Sequence, residues 1–237
     1  MEVISIESLS KFYGEVEAVK DLSLEVKDGE LFGFIGPNGA GKTTTIEILT
    51  GQLMPSSGDC KVLGVDPVLE PKKVRAKVGI LPEREDPPSF MSPREYFSFV
   101  GEVRGIENVE DKVDEWAERL KFSDRLDMMN KSLSKGEKQK VMVTQTFLHE
   151  PDLVFIDEPL INLDPVIQER LKDFFIDYVE RGNTIFLSTH VMSLADEICT
   201  HIGVIDEGRL VDTGPIDELE LDNEKLSETF LRIVEEQ

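Results

Sequence analysis

Residues 31–45 read LFGFIGPNGAGKTTT, and this stretch decides the fold. Its first five residues form a continuous apolar run, which predicts a strand buried on both faces. The segment from Gly36 to Thr43 then holds two glycines separated by four residues and followed by a lysine and a threonine. A helix is predicted next, because apolar residues recur at helical spacing at Ile46, Leu49 and Leu53. A strand, a glycine-rich loop and a helix in succession form the setting in which this pattern binds phosphate.

The chemistry of phosphate binding requires these residue types. Glycines let backbone N–H groups curl around phosphate oxygens, and the helix that starts at Lys42 directs its positive end at the anion. Lys42 adds a cation for the β and γ phosphates, and the Thr43 hydroxyl is a suitable ligand for Mg²⁺. A glycine turn that only caps a helix is the plainer alternative, but the preceding buried strand favours nucleotide binding. The predicted nucleotide-binding residues of this loop are Gly36, Pro37, Asn38, Gly39, Ala40, Gly41, Lys42, Thr43 and Thr44.

A second apolar strand ends in two acidic residues. Residues 153–158 read LVFIDE, which places Asp157 and Glu158 at the carboxyl end of a buried strand, where open α/β sheets bind ligands. Asp157 is predicted to hold Mg²⁺ through its water shell, and Glu158 to orient or deprotonate an attacking water. Acids at strand ends are also common as solvated caps. The phosphate loop elsewhere in the chain favours the catalytic interpretation.

The order of elements predicts the α/β fold class. Short strands at 3–6 and 22–26 indicate an antiparallel β region, and strands at 153–156, 184–188 and 202–205 alternate with helices. Alternating strands and helices predict a mainly parallel sheet with helices on both faces, as in the RecA-like core of P-loop NTPases. Residues 206–208 are predicted to form a hairpin turn.

An α-helical subdomain is predicted to interrupt this core at residues 84–150, after a proline-rich linker. Strand signals vanish there, and two apolar stripes are predicted to face a core: Tyr96, Phe99, Val100 and Val103, then Val113, Trp116, Ala117 and Leu120. The whole chain, 1–237, is thus predicted to form a single ATPase domain, with its core at 1–83 and 151–212. Residues 213–237 are predicted to form an acidic helical tail.

Composition limits the partners and the compartment. The 237 residues include 48 acidic and 26 basic side chains, a formal charge of −22, which makes nucleic acid an unexpected partner. Cys60 and Cys199 lie far apart and are expected to be reduced. The amino terminus has no signal-peptide pattern, and no apolar run approaches the roughly 18 residues that span a bilayer. Any membrane role is therefore expected to come through another chain.

The sequence resembles the nucleotide-binding subunits of ATP-binding cassette transporters over almost its whole length. Five further features occur in the order found in that family: Tyr13, the proline-rich linker, residues 133–137 (LSKGE), residues 163–165 (LDP) and residues 188–190 (STH). Each motif is weak alone, but their joint order and spacing are specific.

The resemblance implies roles for these residues and two bound groups, ATP and Mg²⁺. Tyr13 stacks on adenine, His190 is the switch histidine, and Ser134 and Gly136 face the γ-phosphate bound by an opposite protomer. The pattern at 134–137 is also a capping box, so a plain helix start satisfies it equally. Two copies, or one copy and a related subunit, would pair head to tail. The chain would be cytoplasmic, at the inner face of the cell membrane through a transmembrane permease. His149 and His201 match no motif and are expected to be structural.

Four residues depart from the family pattern: Glu83 replaces the usual linker glutamine, Lys135 and Glu137 replace glycine and glutamine, and Ile161 replaces a small residue. A carboxylate at Glu83 is still a predicted Mg²⁺ ligand. The resemblance implies a ribose contact at position 137, where this chain has Glu137 instead of glutamine.

Glu83 in the linker, Lys135 in the signature segment and the single compact domain resemble subunits of drug, antibiotic or ion exporters more than those of sugar importers. The alternative is a soluble cassette ATPase acting in translation, DNA repair or cluster assembly.

Overall fold

The computed structural model describes residues 1–83, 86–160 and 162–219. The elements along the chain are β1 (Glu2–Tyr13), β2 (Val16–Lys27), β3 (Leu31–Ile35), α1 (Lys42–Leu49), β4 (Ser57–Val62), α2 (Pro71–Lys77), β5 (Val78–Leu81), α3 (Pro93–Arg104), α4 (Val109–Arg119), α5 (Lys135–Phe147), β6 (Leu153–Asp157), α6 (Pro165–Glu180), β7 (Thr184–Thr189), α7 (Met192–Ile198), β8 (His201–Asp206), β9 (Arg209–Pro215) and α8 (Ile216–Leu219). Two 3₁₀ turns, Ser123–Arg125 and Asn130–Ser132, precede α5.

The larger sheet has six strands in the order β5-β6-β7-β3-β8-β9. The first five are parallel, and β9 pairs antiparallel with β8 through the predicted turn at 206–208. Because β7 lies between β3 and β6, the loops that follow these three strands open at one edge of the sheet. This confirms the predicted α/β P-loop NTPase fold and places the phosphate loop beside the acidic strand end.

The smaller sheet has the order β2-β1-β4 and is antiparallel throughout. Leu22, Leu24 and Val26 of β2 are buried in alternation with exposed residues, as predicted for a half-buried strand.

The core lies on both faces of the larger sheet. In β6, Val154 and Ile156 pack with α5, α6 and α7, whereas Leu153 and Phe155 pack with α1, α2 and the smaller sheet. The side chains of a strand alternate between faces, so a strand covered on both sides must be apolar throughout. This explains the unbroken apolar runs in β3 and β6.

The segment between β5 and β6 contains helices α3 to α5, and the described part of residues 84–150 has no strand. Its extent as a subdomain remains a prediction. The second apolar stripe is confirmed, because Val113, Ala117 and Leu120 are buried and Trp116 packs on the core.

The first stripe was partly wrong. Phe99 and Val103 are 52% and 70% exposed, whereas Phe97, Val100 and Gly101 form the buried face of α3. The spacing of Tyr96, Phe99 and Val103 is helical, but so is that of Phe97, Val100 and Gly101. Close packing selects the second face, since a Cβ on Gly101 would lie 2.7 Å from Cγ2 of Val109.

Two helix predictions also need correction. Helix α1 ends at Leu49, before Leu53, because Gly51 adopts a left-handed conformation with φ of 65°. The predicted helical tail begins in strand β9, which runs to Pro215, and is helical only at α8 among the described residues. Residues 220–237 lie outside the described residues. Across the ranges given above, no helix is long and apolar enough to cross a membrane.

Candidate functional site

The phosphate loop joins β3 to α1 and is held by close backbone contacts. A Cβ on Gly36 would lie 2.2 Å from the carbonyl oxygen of Ile205, and one on Gly41 would lie 2.4 Å from that of Ala18. Gly41 also has φ of 106°, which side chains rarely tolerate. The two glycines of the sequence pattern are therefore required here by packing and by backbone conformation.

Lys42 begins α1 and is only 7% exposed. Its Nζ donates hydrogen bonds to the carbonyl oxygens of Gly36 at 2.8 Å and Pro37 at 3.0 Å. Burial lowers the pKa of Lys42, while the carboxylates of Glu158, Asp157 and Glu83 act in the opposite direction. The ammonium group is thus held against the backbone of the phosphate loop.

Asp157 closes β6 and is 4% exposed. The Thr43 hydroxyl donates to its Oδ2 at 2.7 Å, and the Ser188 hydroxyl of β7 donates to its Oδ1. These bonds join the phosphate loop, β6 and β7 at the carboxyl edge of the sheet. They hold the carboxylate in one orientation beside the start of α1.

Glu158 follows directly and adopts a left-handed backbone conformation, with φ of 51°. Its Oε1 accepts from the backbone N–H of His190 at 2.9 Å and lies 2.5 Å from His190 Nδ1. Its Oε2 accepts from the Thr189 hydroxyl at 3.1 Å. Because a carboxylate accepts hydrogen bonds, the imidazole proton of this pair lies on Nδ1. Non-glycine residues in this conformation are uncommon and concentrate at functional sites.

One cavity of about 400 Å³ brings these groups together. It combines the phosphate loop with the acidic strand end, the linker and the end of β7. Its lining residues are Ala18, Asn38, Gly39, Gly41, Lys42, Thr43, Thr44, Glu83, Asp157, Glu158 and His190.

The start of α5 lies outside this lining. The Ser134 hydroxyl accepts from the Glu137 N–H at 3.3 Å, and the Ser134 N–H donates to Glu137 Oε2 at 2.8 Å, so the capping box is formed. Arg125 donates to Glu137 Oε1 at 2.6 Å. The hydrogen bond from the Ser134 backbone, followed by that from Arg125, lowers the pKa of Glu137. Both carboxylate oxygens of Glu137 are thus engaged within the chain.

The same helix contacts the loop that follows Glu158. A Cβ on Gly136 would lie 2.6 Å from the carbonyl oxygen of Asn162, and Gln139 donates to the carbonyl of Pro159 at 3.3 Å. Gln168 of α6 donates to the carbonyls of Leu160 and Leu163 on the other side. The acidic strand end and the capped helix are therefore connected through this loop.

A family model described as ABC transporter matches residues 19–161. The chain belongs to the ABC transporter family. As a member it is an ATP-binding and ATP-hydrolysing subunit, as predicted from its motifs.

Among curated ABC relatives, an uncharacterised ATP-binding protein of Methanocaldococcus jannaschii is 34% identical over 91% of this chain and 79% of its own length. The bacitracin transport ATP-binding protein of Bacillus licheniformis is 33% identical, covering 95% of this chain and 74% of the relative. The Nod factor export ATP-binding protein I of Cupriavidus metallidurans is 34% identical, covering 92% and 72%.

Solved ABC structures agree. One, described as an ATP-binding subunit of an ABC transporter, has a TM-score of 0.92 at 28% identity and covers 98% of this chain and 99% of its own. A dimeric cassette bound to ADP and phosphate has a TM-score of 0.83 at 20% identity, covering 90% of this chain and 98% of that one, and is similar in fold.

Ten of the 17 predicted ABC site residues line the cavity, and seven do not: Tyr13, Gly36, Pro37, Ala40, Ser134, Gly136 and Glu137. Tyr13 is 48% exposed at the end of β1, with Lys11 Nζ 5.3 Å from its ring centre. Ser134, Gly136 and Glu137 lie at the start of α5. Sequence analysis missed Ala18, which lines the cavity, and Thr189, which contacts Glu158. Ala18 belongs to no recognised pattern, and Thr189 lies within the 188–190 motif, in which only His190 was assigned a role.

Proposed function

We propose that this ABC ATPase hydrolyses Mg-ATP between two head-to-tail copies and thereby drives export through a separate membrane permease. The observation that carries the proposal is the shared cavity, in which the phosphate loop, Asp157 and the Glu158–His190 pair line one space. The capped start of α5 lies outside that lining, which suits a site completed by a second copy.

The donor set beside Thr43 fits Mg²⁺. The Thr43 hydroxyl and the Asp157 carboxylate are 2.7 Å apart, and Glu83 lines the same cavity, so all three supply the oxygen ligands that Mg²⁺ prefers. Within the described ranges no group of three or more His, Cys, Asp or Glu side chains could hold a metal. The remaining ligands would be phosphate oxygens and water, the usual case for Mg²⁺. When bound, the ion neutralises charge on the β and γ phosphates.

The residues that line the cavity have separate roles in hydrolysis. Lys42 and the loop N–H groups hold the β and γ phosphates and stabilise the charge that develops on the transferred group. Glu158 orients the attacking water and accepts its proton, and His190 contacts the γ-phosphate while its Nδ1 stays bonded to Glu158.

A second copy would complete the site. A capped helix start with a free hydroxyl and a glycine N–H is an anion site, so Ser134 and Gly136 of one copy would face the γ-phosphate held by the other. Tyr13 would stack on adenine. A contact between Glu137 and ribose would require the carboxylate to break its hydrogen bond with Arg125. We therefore propose only a weak ribose contact for Glu137.

Relatives support transport as the work that hydrolysis drives. The bacitracin and Nod factor proteins are named for transport and export, which favours an exporter over a soluble cassette acting in translation, DNA repair or cluster assembly. The permease would hold the chain at the inner face of the cell membrane.

Two experiments test the proposal. Glu158→Gln with Mg-ATP should form a stable dimer by light scattering, whereas Lys42→Ala should stay monomeric. Co-reconstitution with the membrane protein encoded beside it should give ATP-dependent export from vesicles that Glu158→Gln abolishes. Unchanged ATP hydrolysis in Glu158→Gln would refute the proposed catalytic role of Glu158. Failure of the chain to bind a membrane protein would refute the proposed coupling to a permease.

A further inference from the structure

The side chain of Thr189, the last residue of β7, is fully buried and contacts the carboxylate of Glu158. Its relative exposure is 0%, and its Oγ1 lies 3.1 Å from Glu158 Oε2. This leaves Glu158 with a donor on each oxygen, because the His190 N–H bonds Oε1.

The direction of the Thr189 hydrogen bond follows from a second contact. The backbone N–H of Val191 donates to Thr189 Oγ1 at 3.1 Å, so the hydroxyl oxygen already accepts one proton. A hydroxyl has one proton to donate, and the carboxylate oxygen is an acceptor. Thr189 therefore donates to Glu158 and is itself fixed by the start of α7.

The Thr189 hydroxyl does not line the nucleotide cavity. Glu158 and His190 line both the nucleotide cavity and a second cavity of about 320 Å³, whereas Thr189 lines only the second of these two. The backbone carbonyl of Thr189 accepts a hydrogen bond from the N–H of Gly36 at 3.4 Å, whereas its hydroxyl is connected to the nucleotide cavity through Glu158.

We infer that Thr189 is a positioning residue for hydrolysis, which fixes the carboxylate plane of Glu158 so that it faces the attacking water. The inference rests on the proposed role of Glu158. Two bonds on one oxygen would still let the carboxylate rotate about its terminal torsion, which is broad in glutamate. A donor on the other oxygen removes that freedom, and pre-organised geometry of this kind raises kcat more than it affects binding.

The test compares Thr189→Val, which keeps the shape but loses the hydroxyl, with Thr189→Ser, which keeps the hydroxyl. We expect Thr189→Val to lower kcat about 10-fold with KM for ATP within about twofold, and Thr189→Ser to keep kcat within about threefold of wild type. Thr184→Val is the matched control, since Thr184 is equally buried in the same strand and its hydroxyl bonds the N–H of Gly29, away from the site. It should lose stability but keep kcat.

A purely structural role would give different results. If Thr189→Val and Thr189→Ser lowered kcat equally, or if Thr189→Val left kcat within about twofold of wild type, the inference would be wrong. Should Thr189→Val fail to fold, a comparison of Thr189→Ala with Thr189→Ser asks the same question, and Thr189→Ala must be the slower variant.

A double variant separates this inference from the function on which it rests. In single-turnover measurements, adding Thr189→Val to Glu158→Gln should change the rate by less than about twofold, because the group it positions is gone. Equal losses in both backgrounds would contradict positioning. Wild-type turnover in Glu158→Gln alone would instead overturn the proposed role of Glu158.

Discussion

The Thr43 hydroxyl donates a 2.7 Å hydrogen bond to Asp157 across 114 residues of sequence. The bond exists because β3 and β6 flank β7 in one parallel sheet, so that the residues after both strands meet at its carboxyl edge. It links the phosphate loop to the acidic strand end within one cavity.

Lys42→Ala should reduce ATP affinity at least about 100-fold, because among the described residues Lys42 is the one lysine or arginine that lines the nucleotide cavity. Titration with a fluorescent ATP analogue measures this. Lys112→Ala is the control, since Lys112 is partly buried and paired with Glu150 at 2.9 Å but does not line the cavity. Tight binding by the Lys42 variant would show that the loop N–H groups suffice.

Glu83→Gln should tighten ATP binding about threefold at low Mg²⁺, because it removes a negative charge from the cavity that holds the phosphates. At saturating Mg²⁺ the difference in ATP affinity between wild type and Glu83→Gln should shrink, because the Glu83 carboxylate then binds the metal ion. Equilibrium titration at several Mg²⁺ concentrations tests both parts, with Glu102→Gln as an exposed control on α3. Unchanged or weaker affinity would reject the prediction.

His149 should make the fold sensitive to acid. Burial, with the nearby charge of Arg104, lowers the pKa of His149 from 6.5 to about 4, and its Nδ1 is buried without a partner. The unfolded chain therefore binds a proton first as the pH falls, so stability declines between about pH 6.5 and 4.

The measurement is the thermal midpoint against pH for wild type and His149→Gln. The variant should lose less stability than wild type over that interval. Parallel curves for wild type and His149→Gln would contradict the prediction.

ATP-driven dimerisation should strengthen from low to moderate salt. Each copy carries a formal charge of −22, and salt screens the repulsion between copies over roughly 8 Å at physiological strength. Light scattering of Glu158→Gln with Mg-ATP at increasing salt gives the dimer dissociation constant. The opposite trend would show that local attractive pairs, such as those around the basic start of α5, dominate.

The sequence predicted the elements whose pattern of apolar residues favours a single type of secondary structure. The runs 31–35 and 153–156 are apolar throughout, so only strands covered on both faces suit them. Strands β4 and β5 were not predicted, and of β9 only the preceding turn at 206–208 was predicted. Strands β4 and β9 lie at sheet edges and are largely polar, and Gly58 with φ of 83° interrupts the pattern in β4. The face of α3 was misassigned because two overlapping sets of residues have helical spacing.

In the candidate site, too, local patterns were predictable from the sequence and contacts between distant residues were not. The capping box at Ser134 and Glu137 is local, and its hydrogen bonds formed as the pattern predicts. Arg125 lies 12 residues from Glu137 and Thr189 lies 31 from Glu158, with no pattern that connects either pair. Such contacts depend on the tertiary fold and could not be derived from spacing.

The central claim is that one nucleotide is bound by Lys42 of one copy and Ser134 of another. A crystal structure of Glu158→Gln with Mg-ATP, in a form that is dimeric in solution, tests it directly. We predict that the Ser134 hydroxyl lies about 3 Å from a γ-phosphate oxygen held by Lys42 of the second copy. A dimer in which Ser134 is remote from every nucleotide would contradict the account.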